Sequence, residues 1–365
     1  MTVAIDLAAR LGLAAPVIQA PMAGAQGHAL AAAVCQAGGL GSIPAAMLSP
    51  EGLRAEIEAL RAHTARPFAV NFFCHRPPEP DGAREQRWRQ RLAPYYREYG
   101  LDPAAAPAGA MRAPFSAALA DLVEPLQPPV VSFHFGLPEP ALLARVKRWG
   151  ALVMASATTV EEARWLQQHG ADVVIAQGLE AGGHRGHFLD DDLTRQLGLF
   201  ALLPQVVQAV SLPVVAAGGI GDATTIAAAR SLGAAGVQVG TAYMKTPEAT
   251  TSALHRALLG TEASRHTALT NLFSGRPARS IVNRLMRECG PLSADVPAFP
   301  LAPAALAPLR EAAQARGRTD FSSLWAGEYA ANCREAPAAE LTRGFIAAWQ
   351  QAAGVDAAKA AGGAA

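Results

Sequence analysis

The chain has 365 residues, 51% of them hydrophobic and 17% charged, and its 31 basic and 30 acidic side chains leave a formal net charge of +1. This is more than the roughly 250 residues of a plain (β/α)8 barrel, and the composition is globular rather than disordered. So balanced a charge gives no attraction toward nucleic acid or anionic lipid, and neither is expected as a partner.

The N-terminus, MTVAIDLAARLGL, is broken by Asp6 and Arg10 and lacks the basic, apolar and cleavage regions of a signal peptide. The four cysteines, Cys35, Cys74, Cys289 and Cys333, are far apart and include no C-x-x-C pair. This spacing suits reduced, packed thiols better than a disulfide scaffold or a zinc site, so the expected compartment is the cytoplasm.

Short apolar runs alternate with longer helical stretches along the chain, the pattern of a parallel sheet wrapped by helices. The predicted strands are 17–20, 40–43, 68–72, 130–133, 151–155, 173–176, 214–217 and 237–239. Helices rich in Ala, Leu, Glu and Gln fall between them, for example at 49–63, 159–169 and 222–232. Eight such strands with helical crossovers predict an α/β fold, a (β/α)8 TIM barrel over residues 1–260. The uncharged stretch 196–221 is long enough for a bilayer span. Pro204 and Pro213 divide it instead into a helix at 199–210 and a buried strand. An insertion at about 76–107 follows the third strand and carries Trp88, Tyr95, Tyr96 and Tyr99. These aromatics either line a lid over the barrel mouth or fasten the insertion to the core. Residues 261–350 read as a C-terminal extension packed on the barrel, and 351–365 as a flexible, low-complexity tail.

Chemistry in this architecture lies just beyond the C-terminal ends of the strands. Strand one runs into Pro21-Met22-Ala23-Gly24, strand three delivers Asn71 and then Cys74-His75, and strand four ends at His134-Phe135-Gly136. Strand six exits into Gln177-Gly178-Leu179-Glu180-Ala181-Gly182-Gly183-His184-Arg185-Gly186-His187. Strands seven and eight give Gly218-Gly219-Ile220 and Gln238-Val239-Gly240-Thr241. Barrel enzymes often grip a phosphate with these last two loops, where glycine lets backbone N–H groups approach the oxygens closely. No G-x-G-x-x-G follows the first strand, which weakens a dinucleotide-fold reading. Glycines on both sides of His184 leave space for a planar ligand beside a group that exchanges protons near neutral pH. His134 either faces that ligand or bonds backbone below the mouth. His184 and His187 form an H-x-x-H pair, but no third ligand completes it, so no metal is expected.

These residues resemble the FMN-dependent nitronate monooxygenases, formerly called 2-nitropropane dioxygenases, and their first class in particular. The matching stretches are VIQAPMAGAQG, GGLGSI, VNFFCH, VSFHFGLP, AQGLEAGGHRGHF, VVAAGGIGDATTI, LGAAGVQVGTAY, LTNLFSGRPARSIVNRL and FSSLWAGE. The resemblance implies that Asn71, Gln177, Gly182, Gly219, Gln238, Val239, Gly240 and Thr241 hold FMN, and Met22 and Gly218 at the neighbouring strand ends are expected to join them. It also implies that His184 is the active-site base, with His134 nearby.

The implied reaction is O2-dependent oxidative denitrification of alkyl nitronates, such as propionate 3-nitronate, to carbonyl compounds and nitrite. The nitronate and O2 are the implied partners, and a homodimer is compatible with the family. Three alternatives stay open: an NAD(P)H-dependent FMN reductase of enoyl thioesters or quinones, a non-catalytic flavin-binding protein, and a phosphosugar barrel without flavin. The tyrosines and lysine that some family members place around the substrate have no secure match here.

Overall fold

The computed structural model describes residues 6–79, 81–103 and 113–362, with side chains as far as residue 354. Residues 80 and 104–107 of the predicted insertion, and 363–365 of the predicted tail, lie outside them.

The barrel strands are β1 (Val17–Gln19), β2 (Gly41–Pro44), β3 (Phe68–Phe73), β4 (Val130–His134), β5 (Leu152–Ala157) and β6 (Val173–Gln177). After the two-residue β7 (Gly183–His184), which stands apart, come the last two barrel strands, β8 (Val214–Ala217) and β9 (Gly236–Val239). All eight pair in parallel, in the order β1-β9-β8-β6-β5-β4-β3-β2, and a parallel bridge between Ile18 and Leu40 closes the ring. The predicted TIM barrel is therefore present, each strand within one or two residues of its expected bounds. The uncharged stretch resolves into the helix Leu199–Ala209 and strand β8. No described helix is long and apolar enough to cross a membrane.

Alternation along each strand separates two cores. Ile18, Ala69, Val130, Leu152, Met154, Val173, Ile175 and Val215 pack together inside the barrel. Leu7, from the short helix Leu7–Leu11, joins this cluster and plugs its N-terminal end. Their neighbours Val17, Val70, Phe72, Val131, Phe133, Val153, Val174 and Ala216 face the surrounding helices. Continuing the inward register toward the C-terminal ends reaches Asn71, Ser132, His134, Ser156 and Gln177. The barrel interior thus changes from aliphatic to polar at its mouth.

The last helix, Ala338–Gly362, packs against the helices Ala223–Ser231 and His28–Gln36 and so occupies the eighth helical position of the ring. Between β9 and this helix lie β10 (Thr267–Thr270) and β11 (Ala278–Ile281), which pair antiparallel. The insertion contributes the helix Gly82–Glu98. Its Trp88, Tyr95 and Tyr96, with Tyr99 just beyond, are buried among Leu272, Phe273, Met286, Leu306, Leu309 and Phe321 of the C-terminal segment. These aromatics are fasteners: the Tyr96 hydroxyl donates to the Ala305 carbonyl at 2.6 Å, and Arg284 reaches Glu98 at 2.7 Å.

Candidate active site

The loop after β6 is held from two sides. On one side β7 pairs with β11, setting His184 opposite Ala278 and Gly183 opposite Arg279. The Arg185 N–H extends this pairing to the Pro277 carbonyl at 2.8 Å. On the other side the His184 carbonyl accepts from Gln177 Nε2 at 2.9 Å and from His134 Nε2 at 3.2 Å. Gln177 Oε1 accepts from the Gly186 N–H at 2.8 Å, so both ends of that amide are committed to the loop.

A carbonyl only accepts, so His134 carries its proton on Nε2, and Nδ1 accepts from the Ser156 hydroxyl 3.0 Å away. Burial pushes the His134 imidazole down to about 3, against the raising effect of the His184 carbonyl and with help from Arg276 and Arg185. It is neutral at physiological pH and committed at both nitrogens. Sequence left two roles open for His134, and this geometry is the backbone-bonding one.

Arg185 is fully buried and ties the loop's two ends together. It donates to Gln196 Oε1 at 2.7 Å, to the Gly178 carbonyl at 2.6 Å and to the Gln177 carbonyl at 2.8 Å. Burial lowers its pKa to about 9. Glu162, also buried, accepts from the Thr158 N–H and hydroxyl at 2.7 and 2.8 Å and from the Phe188 N–H at 2.6 Å. His187 is buried as well, with Nε2 3.3 Å from Asp191, and burial pushes it down to about 3. Among the described residues no three His, Cys, Asp or Glu side chains converge as a metal site would require.

The His184 ring, in contrast, sits among aromatic side chains. Its centroid lies 6.2 Å from Phe73, 6.0 Å from Phe135, 5.3 Å from Phe299 and 5.4 Å from Trp325. Phe135 holds a left-handed backbone (φ 69°), rare for a bulky residue, and the Arg276 guanidinium lies 4.3 Å above its ring. Arg276 also donates to the His187 carbonyl. Sequence reasoning missed Phe73, Phe299, Trp325 and Arg276 as neighbours of His184. Phe299 and Trp325 lie more than a hundred residues downstream, and an apolar ring in a sequence reads as core.

The two predicted phosphate loops reach the same mouth. Gly218 and Gly219 both have positive φ (115° and 68°), and a Cβ on Gly218 would stand 3.0 Å from the Ala181 nitrogen. The helix that follows is capped by Asp222, which accepts from the Thr225 N–H at 2.8 Å. Gly240 lies beside Met22, whose sulfur would be 3.7 Å from a Cβ there. Met22, Gly182, Gly218, Gly219, Gln238, Gly240 and Thr241 all keep partial solvent access, although the strands beneath them are buried. Val239 packs its side chain into the core and offers the mouth only backbone. Asn71 donates to Ser132 Oγ at 3.0 Å just below the rim.

The C-terminal segment crosses over these loops, which sequence did not reveal. The Gly327 N–H donates to Thr241 Oγ1 at 2.9 Å, and the Glu328 N–H donates to the Glu180 carbonyl at 3.0 Å. A Cβ on Gly182 would overlap the Gly327 backbone, and one on Gly327 would come within 2.7 Å of the Glu180 carbonyl. The two glycines exist to let the chains cross. With Gly327 N–H bound to its oxygen, Thr241 keeps its own hydroxyl proton available to a ligand.

Fold and site together define a TIM-barrel enzyme with the His184 imidazole among aromatic rings beside a glycine-lined rim. The profile of the nitronate monooxygenase family matches residues 6–347, and the chain belongs to that family; it is an oxidoreductase. It is 44% identical to a nitronate monooxygenase of Paraburkholderia phytofirmans over 335 residues, 91% of each chain. A nitronate monooxygenase of Pseudomonas aeruginosa is likewise 44% identical, covering 92% of this chain and 96% of its own. Among solved structures, nitroalkane oxidase from Streptomyces ansochromogenes superposes with a TM-score of 0.86 at 40% identity, over 96% of this chain and 99% of its own. FabK from Thermotoga maritima follows at 0.69 and 26% identity, over 96% and 97%.

Proposed function

We propose that the protein is an FMN-dependent nitronate monooxygenase of the cytoplasm, converting alkyl nitronates and O2 to carbonyl compounds and nitrite. The observation that carries this reading is the placement of His184: its backbone is locked by Gln177, His134 and β11, while its ring faces an aromatic enclosure at the glycine-lined rim. The residues fit FMN. The Gly218–Gly219 and Gly240–Thr241 turns offer backbone N–H groups and one hydroxyl to the phosphate, and Gly183, which has nothing within 4 Å of where a Cβ would stand, leaves open surface beside His184 for a flat ring system. Bound there, FMN would supply the electron relay between the electron-rich nitronate and O2.

This chain's residues do the remainder. The His184 imidazole hydrogen-bonds the anionic nitro oxygens and, for a neutral nitroalkane, takes the α-proton. The surrounding rings exclude water and strengthen that hydrogen bond. His134 and Gln177 hold the His184 backbone, and Ser156 fixes His134, without exchanging protons themselves. The balanced overall reaction takes two nitronates and one O2 to two carbonyl compounds and two nitrite ions.

Aerobic nitrite release from a panel of nitronates, propionate 3-nitronate included, tests the reading. Turnover without added NAD(P)H is expected. Absent nitrite with prompt flavin bleaching on anaerobic mixing with NADH would replace the reading with the reductase. That alternative is disfavoured by 44% identity to two nitronate monooxygenases over more than 90% of this chain.

A further inference from the structure

Three phenylalanine rings behind His184 are mutually in contact, with centroids 4.9 Å (Phe73–Phe135), 5.6 Å (Phe135–Phe299) and 6.2 Å (Phe73–Phe299) apart. His184 lies 5.3 to 6.2 Å from all three. The buried His75 also lies 4.9 to 6.4 Å from all three. These six distances place each imidazole at nearly the same height above the triangle of rings. On one face the two histidines would occupy the same volume, so they stand on opposite faces. The phenylalanines form a septum with His184 on one face and His75 on the other.

The three rings are not equally fixed. Phe73 ends β3, and Phe135 follows β4 under the Arg276 guanidinium, so both are held by the barrel. Phe299 comes from the C-terminal segment. Its neighbours Pro297, Ala298 and Leu301 line a surface cleft of about 370 Å³, together with Glu79, Asp81, Arg84 and Glu85. Its ring is turned inward from the wall of that cleft and is 7% exposed. Phe299 is therefore the septum ring whose chain neighbours border an open cleft.

We propose that Phe299 sets the longest carbon chain the site accepts, by closing the septum beside His184. This rests on the reading that the nitronate head binds at His184. A chain growing away from that head gains about 4-fold in affinity for each methylene that finds apolar contact. The gain stops where the next carbon must displace a packed ring.

The test uses purified holoenzyme and isothermal titration with straight-chain carboxylates from acetate to octanoate, planar two-oxygen anions that stand in for nitronates. Wild type, Phe299→Leu and Phe299→Ala are compared. In wild type, affinity is expected to rise over the first few carbons and then level or fall. Phe299→Ala should prolong the rise by at least two carbons, raising the octanoate-to-propionate affinity ratio 10-fold or more. Phe299→Leu should show a smaller shift in the same direction, and it carries the test if the alanine variant does not fold. Chain-length profiles in the folded variants that coincide with wild type would overturn the inference, as would no binding at any length in any of the proteins. A shifted profile in an enzyme that releases no nitrite would sustain the role of Phe299 and refute the nitronate reading.

Discussion

His134 donates from Nε2 to the backbone carbonyl of His184 across 3.2 Å, which gives these two histidines different work. One imidazole is a neutral strut for the backbone that presents the other. Because burial lowers His134 and His187 to about 3 and His255 to about 4, the unfolded chain binds more protons than the folded one between those values and about 6.5. Their linkage therefore makes stability fall as pH is lowered through that window, with no contribution above it. Urea unfolding of wild type and of His255→Asn at pH 7.5 and pH 5 checks this. The variant should lose less stability than wild type between the two pH values; an equal loss would refute the assignment for His255.

The crossing of Gly182 and Gly327 predicts that cofactor retention depends on a residue far from the barrel in sequence. In Gly327→Ala the new Cβ would meet the Glu180 carbonyl at 2.7 Å and the Gly182 nitrogen at 3.0 Å, backbone atoms that cannot swing aside. The segment must lift, and Thr241 loses its bond from the Gly327 N–H. FMN affinity should fall at least 10-fold while circular dichroism stays that of wild type. An unchanged dissociation constant in fluorescence titration would contradict this.

Gly219→Asp tests the phosphate position itself. It places a carboxylate and a Cβ on a left-handed turn (φ 68°) at the proposed phosphate, adding strain, crowding and like-charge repulsion. The purified variant should contain little FMN; a full complement would move the phosphate elsewhere.

Turnover should be indifferent to chelation. His187 is turned to Asp191 and is not paired with His184 as a ligand set. Prolonged EDTA treatment is expected to leave nitrite release unchanged, and a loss restored by one divalent ion would overturn that expectation.

The barrel was legible because each strand is a short apolar run bounded by glycine, proline or polar residues, and strands buried on both faces leave that mark. The site was legible in part for the same reason. Gln177, Gly219 and Gly240 lie at or just past strand ends and His184 in the loop that follows β6, so placing the strand placed the residue. The division of labour between His134 and His184 needed the inward register of β4 and the loop's return. Phe299, Trp325 and Gly327 were out of reach because they come to the mouth by tertiary packing of the C-terminal segment, and no local period marks a residue that crosses a loop. The insertion's aromatics were indistinguishable in sequence from a lid, since a ring that fastens two helices has the same composition as one that covers a ligand.

The most direct test of the account is His184→Asn assayed on matched pairs of a preformed nitronate and its parent nitroalkane, with FMN content measured in the same preparation. A nitronate has already lost its α-proton, so the variant loses only a hydrogen bond with that substrate, and asparagine keeps a donor. With the neutral nitroalkane it loses the base too, and general base catalysis contributes about 10²–10⁴-fold, roughly 3–5 kcal/mol. The predicted result is a kcat/KM loss larger by that factor for the nitroalkane, at full FMN occupancy. Equal losses for both substrates would show that His184 only positions the nitro group, and no loss for either would contradict the placement of the active site in this loop.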